Sequence, residues 1–292
     1  MARTPASCVW PSLALVLTVA CRDRDTQDVR RAGTFASEPV GWRAYAGDAE
    51  TRRYSPVADI SPGNVAALEP AWSWETGEVE REAEDTGERL WRWEPIPQQA
   101  GAARDSWENG SASRTGHGNV WAPFSVDAAA GLVYLPVSAA SNDYYGGHRL
   151  GDNLHTQSLV CLDAATGVQR WARQRVHHDI WDYDPASPPA LVSITVQGRR
   201  IDAVVLAGKT GFLYVFDRYT GEPVWPMAEQ PVPASDVPGE RAAATQPFPA
   251  WPRPFARHGA HPVLHEGRLL LAGGGVTAGY SATSSVEVLW SR

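Results

Sequence analysis

Short apolar runs separated by turn-forming residues recur along most of the chain. Glycine, proline, aspartate or threonine bounds each run, as is typical of β-strands that end in tight turns. The clearest runs are GLVYLPV (131–137), SLVCLD (158–163), AVVLAG (203–208), FLYVFD (212–217) and RLLLAGGG (268–275). The pattern lacks sustained helical periodicity with caps, so it predicts an all-β fold. AVVLAGKTGFLYVFD is predicted to be a hairpin that turns at KTG.

A short motif, T-G-x-x-x-W, occurs three times, at residues 86–91, 166–171 and 220–225. The last two copies are 54 residues apart, close to the size of one propeller blade, and each follows an apolar run that ends in aspartate. We expect a tight turn in which glycine takes a positive φ while the aspartate and threonine hydrogen-bond the backbone. The tryptophan should then pack on a neighbouring sheet. This repeat favours a β-propeller over a sandwich or another stacked all-β fold.

The composition agrees with such a fold and excludes one class of partner. The 292 residues include 13 tryptophans, 26 glycines and 23 prolines, which suits short strands and tight turns. The formal net charge is −7, without clusters of lysine and arginine. We therefore expect no nucleic-acid partner, since binding to phosphates depends on cationic side chains. Residues 78–117 are polar enough to be predicted mainly as loop.

The N-terminal 21 residues, MARTPASCVWPSLALVLTVAC, have the features of an export signal. Arg3 precedes an apolar run that is too short to span a membrane and that ends before RDRD. We predict a signal peptide over residues 1–21, a linker over 22–40 and the propeller domain over 41–292, with a periplasmic location. Cleavage of the lipoprotein type would leave Cys21 as a lipid anchor, whereas an ordinary secretory signal would not. Cys161, within an apolar run, is predicted to be buried.

One stretch, VHHDIWDYD (176–184), concentrates two histidines, three aspartates and two aromatic residues. A metal site, a catalytic base in a cofactor pocket or an ordinary polar loop would each account for it. His177 and His178 are adjacent, and adjacent side chains on an extended chain point to opposite faces. We therefore expect them to position the loop rather than to bind one metal ion. Asp179 and Asp184 are predicted to be structural.

Several stretches together resemble the quinoprotein dehydrogenases of the glucose or alcohol type, which are eight-bladed propellers that bind pyrroloquinoline quinone (PQQ). The segment GWRAYAGDAETRRYSPVADISPGNVAALEPAWSWETGE (41–78) resembles the part of that family that precedes its first blades. The resemblance implies a dehydrogenase that oxidises a sugar or alcohol by hydride transfer to PQQ, with a quinone or a cytochrome as electron acceptor. The strongest of the other matching stretches are NVWAPFSVD, GLVYLPV, NDYYGGHRLGDN, VHHDIWDYD, KTGFLYVFDRYTGEPVWP, PVPASDVPGE and TQPFP.

The resemblance also implies roles for four residues. Asp182 corresponds to the general base that removes the hydroxyl proton of the substrate. Trp121 corresponds to the tryptophan under the planar quinone, and Lys209 to the lysine that contacts the quinone oxygens. Ser141 corresponds to the one retained position of the Ca²⁺ ligand set, which is otherwise incomplete here.

The sequence also departs from the family pattern, and this leaves other functions open. Members of the family run to roughly twice this length, so the chain resembles a shortened member with a deletion between residues 78 and 86. It is therefore expected to be an incomplete propeller. The alternatives are a non-catalytic lipoprotein scaffold built from the same repeats, an inactive fragment, or a metal hydrolase that uses the His/Asp cluster.

Overall fold

A computed structural model describes residues 53–70, 79–82, 88–254, 261–265, 268–272 and 286–290 of the protein. Of the strands at 79–82, 261–265, 268–272 and 286–290 only the backbone is described. The predicted signal peptide, Cys21 and the linker over 22–40 lie outside the described residues. The chain divides into two compact units, residues 1–66 and 67–292, and every strand in the described residues belongs to the second.

Most of the regular secondary structure in the described residues consists of antiparallel strands. Within each sheet the strands lie in the order in which they occur along the chain, as expected for the blades of a propeller. The five sheets are β1–β2, β3–β4–β5–β6, β7–β8–β9, β10–β11 and β12–β13–β14. The strands are β1 Val79–Glu82, β2 Arg89–Trp93, β3 Ser125–Asp127, β4 Leu132–Val137, β5 Ser158–Asp163, β6 Gln169–Gln174, β7 Ala190–Val196, β8 Arg199–Ala207, β9 Leu213–Asp217, β10 Met227–Pro231, β11 Thr245–Pro249, β12 His261–His265, β13 Arg268–Ala272 and β14 Val286–Trp290.

Helical structure in the described residues is short. It comprises the helix α1, Ala102–Asp105, and 3₁₀ turns at Val65–Ala67 and Glu108–Ser113. None of these segments has the length and apolar character that a membrane-spanning helix requires. The predicted all-β class is confirmed, and the predicted hairpin forms from β8 and β9 with its turn at KTG.

The two complete copies of the repeat form the same turn. Asp163 Oδ1 accepts hydrogen bonds from the backbone N–H groups of Ala165 and Thr166, both at 3.0 Å, and from the Thr166 hydroxyl. Asp217 makes the same set of bonds with Tyr219 and Thr220. The glycines that follow have φ of 70° and 71°. The predicted turn chemistry is confirmed, because both aspartates and both threonines cap the turn backbone as expected.

The tryptophans of the repeat connect consecutive sheets. Trp91, on β2, packs on Gly167, and its Nε1 donates to the carbonyl of Ala164 at 3.1 Å. Trp171, on β6, packs on Gly221, and its Nε1 donates to the carbonyl of Arg218, also at 3.1 Å. In both cases the tryptophan of one repeat covers the turn of the next. This contact explains why the motif recurs at blade spacing.

The main core fills the space between the sheets β3–β6 and β7–β9. Trp171 lies 6.0 Å from Tyr134 and 6.3 Å from Phe216, measured between ring centroids. Cys161 is fully buried, as predicted, and burial raises the pKa of its thiol to about 12.

The segment 78–117, predicted mainly as loop, is more ordered than its polar composition suggested. It contains β1, β2 and α1 as well as the 3₁₀ turn at Glu108–Ser113. A few apolar side chains anchor it in a small separate core cluster, formed by Ile96, Trp107, Ala112 and Ala140. Because polar residues separate these apolar side chains in the sequence, they form no apolar run that would predict a core cluster.

Candidate functional site

Asp182 and Lys209 lie in contact, although they are 27 residues apart. Asp182 is in the loop between β6 and β7, and Lys209 is in the turn between β8 and β9. The Lys209 ammonium donates to Asp182 Oδ2 and to the Asp182 carbonyl oxygen, each at 2.9 Å. Both side chains are partly exposed, at 28% for Lys209 and 27% for Asp182. The structure thus joins the predicted base and the predicted cation in one ion pair.

One oxygen of the Asp182 carboxylate is left for a ligand. Oδ2 contacts Lys209, whereas Oδ1 makes no hydrogen bond to any residue that the structure describes. The backbone at Asp182 has φ 56°, a left-handed conformation that aspartate tolerates better than most residues. A carboxylate that is fixed through one oxygen and reachable through the other can accept a proton from a bound hydroxyl group.

Trp121 presents an unusually exposed indole. Its side chain is 54% exposed, and its Nε1 donates to Asp184 Oδ2 at 2.9 Å. A large aromatic face left open to solvent is suited to stack against a planar ligand. Through Asp184, two residues beyond Asp182, the third predicted site residue is connected to the same loop.

A buried polar network lies behind this loop. Asp184 Oδ1 accepts from the Ala139 backbone N–H at 2.7 Å and from Gln157 Nε2 at 3.3 Å. Gln157 Nε2 also donates to Asp179 Oδ2 at 2.7 Å, and its Oε1 accepts from Arg175 Nη2 at 2.8 Å. The two aspartates predicted to be structural thus share one amide donor.

Burial perturbs the charged members of this network. It raises the pKa of the Asp179 carboxyl to about 6, against backbone hydrogen bonds from Trp181 and Tyr183 and a side-chain bond from Gln157 that lower it. Burial also lowers the pKa of Arg175, which the negative charges of Asp179 and Asp184 oppose. Behind the loop, the buried Asp179 carboxyl and the buried Arg175 guanidinium are therefore connected by hydrogen bonds through Gln157.

The two histidines of the motif have different partners. His177 Nδ1 lies 2.7 Å from Gln174 Oε1 and its Nε2 lies 3.1 Å from Glu229 Oε1. His178 Nε2 lies 2.8 Å from Glu240 Oε1, and both of these side chains are buried. Each ring therefore connects the loop to a different part of the chain. The described residues contain no group of three or more histidine, cysteine, aspartate or glutamate side chains arranged to hold a metal ion.

Ser141, the predicted Ca²⁺ ligand, lies in a segment held by Arg149. The Ser141 carbonyl accepts from Arg149 Nε at 3.0 Å, and the Asn142 carbonyl accepts from Nη2 at 2.8 Å. Nη2 donates as well to the carbonyl of Asp179 at 2.6 Å. A guanidinium thus uses the backbone oxygens that a cation site would need, and the described residues around Ser141 do not fit Ca²⁺ by themselves.

A cavity of about 690 Å³ opens beside the loop. Its wall includes Trp181, Tyr183 and Thr210, which are sequence neighbours of the ion pair, whereas Asp182, Lys209 and Trp121 are not among its lining residues. Much of the rest of the wall is aromatic or apolar, including Phe212 and Phe248, whose rings meet edge to face at 5.1 Å. Such a wall is suited to an organic molecule of moderate size.

The network residues Gln157, Arg149 and Arg175 were not predicted from the sequence. Each lies in a polar stretch where a long polar side chain is ordinarily solvated, yet all three are buried. A weak local signal exists only for Gln157, which directly precedes SLVCLD, the mainly apolar sequence of β5.

The chain is similar in sequence to a family of known proteins. Residues 42–85 and 83–264 match the PQQ family described as glucose/ethanol/alcohol dehydrogenase, β-propeller domain. The chain is 37% identical over 165 residues to the quinoprotein glucose dehydrogenase of Escherichia coli K12, a match that covers 56% of this chain and 20% of that protein. It is 41% identical over 156 residues to a probable quinate dehydrogenase (quinone) of Xanthomonas campestris pv. juglandis, covering 53% and 19%.

The structural comparison agrees in fold. The quinohemoprotein alcohol dehydrogenase ADHIIG of Pseudomonas putida HK5 superimposes with a TM-score of 0.50 at 22% identity, covering 66% of this chain and 32% of that one. The matched stretch spans about a fifth of the two curated relatives, 20% and 19% of their lengths. The family match covers more than half of the chain, and the protein therefore belongs to the glucose/ethanol/alcohol dehydrogenase β-propeller family of PQQ proteins.

Proposed function

We propose that this chain carries the catalytic loop of a quinoprotein dehydrogenase that oxidises a sugar or an alcohol, with Asp182 as the general base. The observation that carries the proposal is the Asp182–Lys209 ion pair, which engages Oδ2 of the carboxylate and leaves Oδ1 without a hydrogen-bond partner among the described residues. Family membership supports it, as do the names of the relatives, which include glucose and quinate dehydrogenases.

The role of Asp182 follows from the chemistry of alcohol oxidation. When a hydride leaves the carbinol carbon, the hydroxyl proton has to be removed, and a carboxylate within hydrogen-bonding distance can accept it. Lys209 holds that carboxylate through Oδ2 and the backbone carbonyl, so that Oδ1 is the oxygen available to the substrate. Its positive charge also favours negative charge that develops nearby during the reaction.

The chemistry of two residues present suits a planar, anionic quinone. The exposed Trp121 indole would supply the stacking surface, and the Lys209 ammonium would lie near the quinone oxygens. When bound, PQQ supplies the acceptor for the two electrons of the substrate. We further propose that electrons then pass to a quinone or a cytochrome and that the protein works in the periplasm, with Cys21 as a possible lipid anchor.

A binding and turnover experiment tests the proposal. Purified protein is titrated with PQQ, with and without Ca²⁺, while tryptophan fluorescence is followed, and dye-linked oxidation of glucose and simple alcohols is then measured. We expect quenching by PQQ and turnover that falls at least a hundredfold in Asp182→Asn, in line with the usual contribution of a general base, about 10²–10⁴.

The matched control is Asp152→Asn, since Asp152 is exposed and its carboxylate makes no hydrogen bond within residues 88–254. This variant should keep wild-type turnover. Folded protein that neither quenches nor turns over would contradict the proposal and favour the scaffold hypothesis. Equal turnover in Asp182→Asn and Asp152→Asn would remove Asp182 from the catalytic role.

A further inference from the structure

Exposure of the Trp121 indole raises the question of what fixes its plane. Rotation about χ2 of tryptophan is broad, so rotamer preference alone does not orient the ring. With 54% of the side chain exposed, packing constrains it only in part. Within the described residues, the one polar contact of the indole is its N–H donated to Asp184 Oδ2 at 2.9 Å.

We propose that Asp184 is a positioning residue that fixes the Trp121 indole for stacking against the quinone. The choice of quinone as the stacking partner rests on the proposed function, whereas the fixing of the indole does not. Asp184 acts through Trp121 and is not proposed to contact substrate.

Asp184 uses both of its carboxylate oxygens as hydrogen-bond acceptors. Its two oxygens accept three donors: Trp121 Nε1 on Oδ2, and the Ala139 backbone N–H and Gln157 Nε2 on Oδ1. An asparagine in its place has a single acceptor oxygen and a two-hydrogen donor. Whichever way that amide is turned, its NH₂ faces a donor, either the indole N–H or the pair at Ala139 and Gln157.

The other side of Asp184 is rigidly held. Ala139 belongs to the segment after β4, Gln157 directly precedes β5, and both are buried. Gln157 in turn bonds Asp179 and Arg175, which are buried as well. These buried hydrogen bonds restrict the motion of Gln157 and Ala139, although Arg175 Nε and Nη1 have no partner among the described residues. Asp184 thus connects the exposed Trp121 indole to the buried residues Ala139 and Gln157.

The first test follows the indole without ligand. The near-ultraviolet circular dichroism of Trp121 is obtained by subtracting the spectrum of Trp121→Phe from that of the wild type. The same subtraction is made in an Asp184→Asn background. We expect the Trp121 signal to be reduced or altered in that background, because the indole no longer has its acceptor.

The second test measures quinone affinity by PQQ quenching in a double-mutant cycle. Asp184→Asn should bind PQQ about tenfold more weakly, as expected from a loss of roughly one hydrogen bond to a charged group. In the Trp121→Phe background the same substitution should have little further effect, since the donor that it serves is gone. Trp121→Phe alone leaves the other partners of Asp184 in place and should also weaken binding, which gives a second route if Asp184→Asn is poorly folded.

The control is Asp217→Asn, which also removes a carboxylate that accepts two backbone N–H groups and a hydroxyl. It should lower stability without changing the Trp121 spectrum or the affinity for PQQ. An unchanged Trp121 spectrum in Asp184→Asn overturns the inference, as does additivity of the two substitutions in the cycle. If the wild type does not bind PQQ, the proposed function fails, and the ligand-free spectrum alone decides whether Asp184 fixes the indole.

Discussion

Gly221→Ala and Gly198→Ala form a matched pair that tests how the repeat connects one sheet to the next. Both glycines have positive φ, 71° and 75°. A Cβ at Gly198 would meet nothing within 4 Å, whereas at Gly221 it would lie 2.6 Å from the Trp171 ring. The two substitutions therefore share the backbone penalty and differ in the collision with the tryptophan.

The expected magnitudes follow from these two contributions. Placing alanine in a left-handed conformation costs about 1–2 kcal/mol, and this should be the whole effect at Gly198. At Gly221 the new methyl group lies at 2.6 Å, although ordinary contacts begin at 3.4 Å, so the ring has to move. Overpacking of this kind costs about 1–3 kcal/mol. The free energy of unfolding should thus fall more in Gly221→Ala than in Gly198→Ala, by about 1–3 kcal/mol.

Urea unfolding followed by far-ultraviolet circular dichroism measures both variants, and equal m-values would show that the comparison concerns stability alone. The same pair is then made in a Trp171→Leu background. Because the larger ring is absent there, the excess loss at Gly221 should shrink. Equal losses for the two glycines in the wild-type background would refute the docking argument, as would an excess that persists at full size in Trp171→Leu.

Three further predictions concern the interior. Trp171→Ala should lower the free energy of unfolding by about 3–5 kcal/mol in urea, and the exposed Trp251→Ala by much less, because only Trp171 is buried and packed between sheets. The pKa of Asp179, raised by burial to about 6, exceeds its unfolded value near 3.9. The stabilisation of the folded state by the protonated carboxyl is therefore full below about pH 4 and is lost as the pH rises through 6. Urea titrations should show that the free energy of unfolding of the wild type, relative to Asp179→Asn, falls by about 3 kcal/mol across that pH range. Cys161, with the other cysteines replaced by serine, should react with a thiol reagent near pH 8 only in urea, since burial raises its pKa to about 12; rapid labelling of the native protein would contradict this.

The fold could be predicted from the sequence where local chemistry determines the structure. The turns at Asp163 and Asp217 are determined within five residues, by a carboxylate that caps the backbone and a glycine that supplies the positive φ. The strands that follow from apolar runs, such as β4 and β5, appear where expected. The sequence could not show which turn each tryptophan would cover, because that contact joins residues 50 or more positions apart, as in Trp171 and Gly221.

The site was predicted through resemblance, and the structure supplies the physical connections that resemblance lacks. Asp182 and Asp184 are the same residue type two positions apart, and nothing in the motif distinguishes them. In the structure Asp182 is partly exposed and pairs with a cation, whereas Asp184 accepts hydrogen bonds from an indole, an amide and a backbone N–H. These partners come from the segment before β3, the segment after β4, the residue before β5 and the turn after β8, which only the folded sheets bring together. Asp182 thus has one oxygen without a partner among the described residues, whereas both oxygens of Asp184 accept hydrogen bonds. We propose that this difference in environment separates the base from the positioning residue.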